Sequence, residues 1–177
     1  MIKNFKSLIF KDKKGFTAVE LILTVSLFAF GIFGIYTFFY PAYTLSANFS
    51  NRTAADYLAQ EAMEIITNIR DNNIIKNQIW SQNISGCDSG CQLDYKTKTP
   101  VETPSNALKS YADTPLNLDS NSFYSYDSGT ATIFKRKVTI TPGPNSDILK
   151  VVVLVTWDYN GKSFSYDTTD YIYKLKP

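Results

Sequence analysis

From Phe16 to about Tyr40 the chain is almost uninterruptedly apolar, and before the tyrosines of that run its one ionisable side chain is Glu20. A helix needs about 20 apolar residues to cross a bilayer, so the run is long enough to span one with some tilt. A carboxylate within such a segment costs about 3 kcal/mol and is by default a functional feature. A buried carboxylate finds a partner or neutralises. No Lys or Arg lies between Gly15 and Arg52, so the run supplies no cation of its own. A protonated or snorkelling Glu20 in an ordinary membrane anchor is the plainer alternative.

Lysines 3, 6, 11, 13 and 14 precede the run against Asp12 alone, a net charge of +4 on residues 1–15. A basic end of this kind is expected to stay cytoplasmic while the remainder crosses outward. The whole chain of 177 residues carries +2, but residues 16–177 hold 13 basic and 15 acidic side chains, a net charge of −2. That balance argues against a basic nucleic-acid binder. The apolar stretch is also too long for the core of a cleaved secretory signal, which runs to about 7–15 residues. Ser46-Ala47 is a poor copy of the small-residue cleavage signature, so the segment is expected to be retained.

The residues at the junction, Lys13-Lys14-Gly15-Phe16-Thr17-Ala18-Val19-Glu20, combine a basic leader, a glycine, a phenylalanine and a glutamate four positions further on. Followed by an apolar helix, this pattern resembles the N-terminus of type IV pilins and type II secretion pseudopilins, over about residues 1–40. The resemblance implies that a prepilin peptidase cuts between Gly15 and Phe16 on the cytoplasmic side and methylates the new amino group of Phe16. It implies that Glu20 pairs with that amine on a neighbouring subunit as pilin subunits pack into a helical filament. An assembly ATPase and a membrane platform protein are the partners it adds. On this reading residues 1–15 are the cleaved leader, 16–40 the membrane-spanning and filament-core helix, and 41–177 an extracytoplasmic head.

Beyond the membrane run, Tyr36, Tyr40 and Tyr43 fit an interfacial aromatic belt, and Pro41 is expected to kink or loosen the helix. From about Ser50 to Asn72 the pattern becomes amphipathic. Ala54, Ala55, Leu58, Ala62, Ile65, Ile66 and Ile69 share one side at helical spacing, and Glu61 and Glu64 read as a solvated face. The string from Leu58 to Asp71 is similar to the corresponding helix of minor pilins and minor pseudopilins. Residues 73–130 read as irregular, rich in Asn, Ser, Asp, Thr and Pro, with Trp80 expected to pack beneath them. Tyr111, Phe123, Tyr124 and Tyr126 fit either packing or surface contact.

Phe134-Arg136-Val138-Ile140 alternates with Lys135, Lys137 and Thr139 as a half-buried strand does. Leu149 to Trp157 is apolar at successive positions and reads as a central strand covered on both sides. Asn160-Gly161 signals a two-residue hairpin turn, after which the chain returns through Phe164 and Tyr166 to Ile172. The expected fold class is α+β: a long N-terminal helix whose second half packs on a C-terminal antiparallel sheet over residues 131–175, a pilin-like arrangement.

Chemistry is sparse. The chain has no His, which removes the commonest general base and metal ligand. Neither a nucleotide-binding glycine loop nor a catalytic constellation is found, so neither an enzyme nor a cofactor or metal is expected. Cys87 and Cys91 read as a small disulfide loop in an oxidising compartment; free thiols, a zinc half-site and a redox pair are the alternatives. Lys135-Arg136-Lys137, the dense basic cluster after the leader, reads as a solvated edge, with DNA contact through phosphates and stacked tyrosines as the sharper reading. The runner-up for the whole chain is a single-pass anchor displaying a β-rich binding module, an adhesin or DNA-uptake receptor.

Overall fold

The computed structural model describes residues 15–98 and 107–175, apart from the side chains of residues 44–47. The leader therefore lies outside the described residues except for Gly15. Two units are distinguished, Met1–Ser46 and Ala47–Pro177.

Helix α1 (Ala18–Ile75) runs for 58 residues. Thr17 caps its start: the Glu20 N–H donates to Thr17 Oγ1 at 3.3 Å and the Leu21 N–H to the Thr17 carbonyl at 3.1 Å. Pro41 lies inside the helix without ending it. The end comes three residues later than the amphipathic pattern predicts, and its geometry explains why. Asn77 takes a left-handed φ of 53°, its N–H donates to the Ile74 carbonyl, and the Gln78 N–H reaches back to the Asn73 carbonyl at 2.8 Å. This paired closure satisfies carbonyls that the helix leaves open, and Asn is the residue that accepts it after Gly.

Every residue from Gly15 to Tyr43 is exposed. By length and composition α1 is long and apolar enough to cross a membrane, with a mean hydropathy of 2.2 in its most apolar window.

In the second unit the helix turns one apolar face to a sheet. Ala55, Leu58, Ala62, Ile66 and Ile69 are buried there, as the amphipathic pattern predicts; Ala59, which the pattern does not include, is buried too, while Ala54 and Ile65 are half-buried. Ala55, Ala59 and Ala62 are fully buried and leave no side chain to hold the helix away from its neighbours. Enlarging one overfills the core: Ala59→Leu is expected to cost about 1–3 kcal/mol, read as a lower urea midpoint.

The sheet has five strands in the order β2-β1-β6-β7-β8, all antiparallel. They are β1 (Cys91–Gln92), β2 (Lys109–Ser110), β6 (Phe134–Pro142), β7 (Ile148–Tyr159) and β8 (Lys162–Tyr173). Register places Phe134 opposite Trp157, Arg136 opposite Val155, Val138 opposite Val153 and Ile140 opposite Val151. These form the buried inner face. Asn160 and Gly161, both with positive φ (51° and 72°), make the β7–β8 turn, the combination a two-residue primed hairpin turn requires.

Two expectations change. Strand β7 is central in the sheet, but it is covered on one face: Val152, Leu154 and Thr156, on the outer face, are only half-buried. Polar neighbours from β6 and β8, Thr139, Lys137, Asp167 and Thr169, flank Val152 and Leu154 there, so apolar character along one strand does not imply a second covering layer. The stretch expected to be irregular is also more ordered. It supplies β1 and β2 and a second sheet, ordered β4-β3-β5, from β3 (Asn117–Leu118), β4 (Tyr124–Ser125) and β5 (Thr130–Ala131). Each strand here is two residues long, too short for any alternation to show in sequence. Ile84, Leu93 and Leu116 from this stretch are fully buried, and Trp80 joins the core.

Candidate functional site

At the N-terminal junction, Gly15, Phe16 and Thr17 precede the helix and are exposed, Phe16 at 75%. Glu20 lies in the first helical turn, where the positive end of the helix dipole favours a carboxylate. Thr17-Ala18-Val19-Glu20 has the spacing of a capping box, a signal the sequence carries but the motif-based reading passes over. Its Thr half is formed. Glu20 is exposed, and no partner for its carboxylate is found among the described residues. The chain thus presents, at one end of a bare apolar helix, a short accessible segment and an acid without a partner among the described residues.

Cys87 and Cys91 are disulfide-bonded with Cα atoms 5.4 Å apart, and both are buried. The Cys87 carbonyl accepts from the Gly90 and Ile140 N–H groups, so the loop is tied to β6 as well as closed on itself. Because the closed loop is short, reduction is expected to cost no more than about 2 kcal/mol, seen as a modest fall in melting temperature with the fold retained.

The basic cluster is split by the pleat. Lys135 pairs with Asp113 at 2.9 Å, and Lys137 lies over the Tyr111 ring, 5.4 Å from its centroid. Arg136 turns inward and is fully buried. Its Nη1 donates to the Leu58 carbonyl at 2.7 Å and to Glu61 Oε2 at 2.6 Å; its Nη2 donates to the Leu93 carbonyl at 2.6 Å. One side chain thereby links the helix, the segment after β1, and β6. Glu61, read from the sequence as part of a solvated face, is instead the counterion of this buried guanidinium, while Glu64 is exposed. The signal for Arg136 was its place in the alternation with Phe134, Val138 and Ile140, which puts it on the inner face.

The Arg136 carbonyl accepts from the Tyr126 hydroxyl at 2.9 Å. Burial pushes the Tyr126 hydroxyl up to about 12 from its ordinary value of 10. A raised acid in the folded state stabilises fully below pH 10, and that contribution is lost as pH rises through about 12. Stability is therefore expected to fall across this interval, and Tyr126→Phe is expected to make the fall shallower in urea titrations. Tyr111 is also raised to about 12, by burial and by its bond to Asp113, so part of the fall remains in the variant.

Among the described residues no cluster of three or more His, Cys, Asp or Glu could hold a metal ion. A polar cavity beside Asp94, Thr97 and Tyr126 measures about 30 Å³, room for water rather than an organic ligand. Compared with models of protein families, with curated proteins and with solved structures, the chain matches none.

Proposed function

We propose that the chain is a structural subunit, of the minor class, of a type IV pilus or type II secretion pseudopilus. In this reading a prepilin peptidase cuts between Gly15 and Phe16. The helix then holds the subunit in the cytoplasmic membrane and packs it into the filament. The observation that carries the proposal is Glu20: a lone carboxylate in the first turn of an exposed apolar helix, directly after an accessible Gly-Phe junction. A lipid or helix-packed environment makes that charge costly unless a cation reaches it. The new amine of Phe16 on a neighbouring subunit is a cation that only subunits in register supply. Pilin and pseudopilin subunits, the assembly platform protein and its ATPase are the partners that follow.

The test is the N-terminal residue and mass of the protein purified from its native membranes. A chain beginning at Phe16 and one methyl group heavier than calculated is expected. A chain beginning at Met1 overturns the proposal and leaves a single-pass anchor displaying a binding head. Gly15→Leu is expected to abolish the shortened form, since a bulky side chain enters the scissile junction; full processing of that variant counts against the cleavage site.

A further inference from the structure

We propose that the outer face of the sheet, at its β7–β8 turn end, is a binding site for a neutral sugar. This goes beyond filament assembly and does not depend on it. The site is a cleft of about 370 Å³, within the size range of small-ligand sites. Its floor is a polar row that crosses three strands by register: Lys135 on β6 opposite Thr156 on β7, which is opposite Ser165 on β8. The next row adds Asp158 and Ser163, and the loop after β2 brings in Asp113.

The groups are held in place before any ligand arrives. Asp113 takes a left-handed φ of 54°, a conformation Asp tolerates better than most residues. Its Oδ1 accepts from the Tyr111 hydroxyl at 2.7 Å and its Oδ2 from Lys135 at 2.9 Å. Asp158 Oδ1 accepts from Ser163 Oγ at 2.6 Å, which orients that carboxylate. Strand-mounted side chains with such supports are positioned more closely than loop side chains.

The chemistry of the lining selects the ligand class. Asp113 and Lys135 neutralise each other and Asp158 adds a negative charge, so a phosphate, sulfate or carboxylate ligand meets no net positive field. With only two carboxylates, Asp113 and Asp158, the cleft lacks the donor set of a metal site. What remains are carboxylates that accept, a lysine that donates, and three hydroxyls that do both, which is what a ring of alternating hydroxyl groups requires. Ile133, 44% exposed and on the outer side of the alternation that turns Phe134 inward, adds apolar surface for the C–H face of such a ring.

The experiment uses the full chain in peptide-scaffold nanodiscs, which avoids glycoside detergents. Glucose, galactose, mannose and N-acetylglucosamine are titrated in solution, with sialic acid as an anionic comparator. In parallel the same particles are applied to an array of immobilised glycans. Saturable binding of a free neutral sugar supports the site and points to a small-sugar ligand. Binding on the array alone supports it and points to a surface glycan. Either is expected to weaken about tenfold in Asp158→Asn, which replaces a charged acceptor oxygen by a donating amide, and again in Ser165→Ala, which removes a hydroxyl; both positions are exposed. Unchanged Trp fluorescence and melting temperature show that these variants remain folded. The proposal is overturned by no binding in either format, by binding of the anionic sugar alone, or by binding that both variants retain at full strength.

Discussion

Arg136→Met unfolds the head far more easily than its conservative volume implies, lowering the free energy of unfolding by about 3–5 kcal/mol. The guanidinium is fully buried and serves three acceptors at once. Removing it leaves the Leu93 carbonyl without this donor and Glu61 without its cation. The Leu58 carbonyl sits inside the helix and keeps its helical donor, so its loss is small. Folded domains are stable by only about 5–15 kcal/mol, so the effect takes a large share of the total. The readout is the urea midpoint followed by tryptophan fluorescence, because both tryptophans, Trp80 and Trp157, lie in the core of this unit. Glu61→Gln retains a hydrogen-bond acceptor and is expected to lose about 1–2 kcal/mol, since its side chain is 32% exposed and water replaces part of the interaction. A double variant, Arg136→Met with Glu61→Leu, is expected to recover only part of the loss, because the Leu93 carbonyl remains unserved. A midpoint change in Arg136→Met equivalent to less than 1 kcal/mol (roughly the worth of an ordinary neutral hydrogen bond) contradicts this account of the link.

If the chain is the filament subunit proposed above, Glu20→Gln is expected to remove it from filaments while leaving it inserted in the membrane. The substitution separates two roles. Gln serves as well as Glu at the third position of a capping box, so the start of the helix survives. The interaction with the helix dipole that is lost is worth only about 0.3–1 kcal/mol. What disappears is the charge, and with it the proposed pairing to the amine of a neighbouring Phe16. A neutral side chain also enters the bilayer more readily, so membrane insertion is preserved or improved. The measurement compares the variant in sheared filaments with the variant in membranes, using processed chain in both. Filament incorporation equal to that of the unaltered chain sinks the pairing and leaves Glu20 only its interaction with the helix dipole.

Elements with a local period were legible in the sequence. The apolar run declared the exposed helix, and the spacing of Leu58, Ala62, Ile66 and Ile69 identified its core face. Asn160-Gly161 marked a turn whose two residues both take positive φ. The disulfide was the favoured of several readings of the Cys87 and Cys91 spacing, and the structure forms it. Residues 73–130 were illegible because their strands are two residues long and are set by partners far along the chain, as when Cys91 pairs with both Ser110 and Val138. The cleft was illegible for the same reason: Asp113, Lys135, Thr156 and Ser165 have nothing in common until register brings them side by side.

By itself, then, the sequence determined where the apolar helix runs, how the side chains of β6 alternate, and that one carboxylate stands alone near the start of the helix. Each of these depends on neighbours within a few positions. Only the tertiary structure decided which charges are buried and what they hold. Arg136 finds its acceptors at separations of 78, 75 and 43 residues, and no repeat of two or of 3.6 residues encodes a partner at that distance.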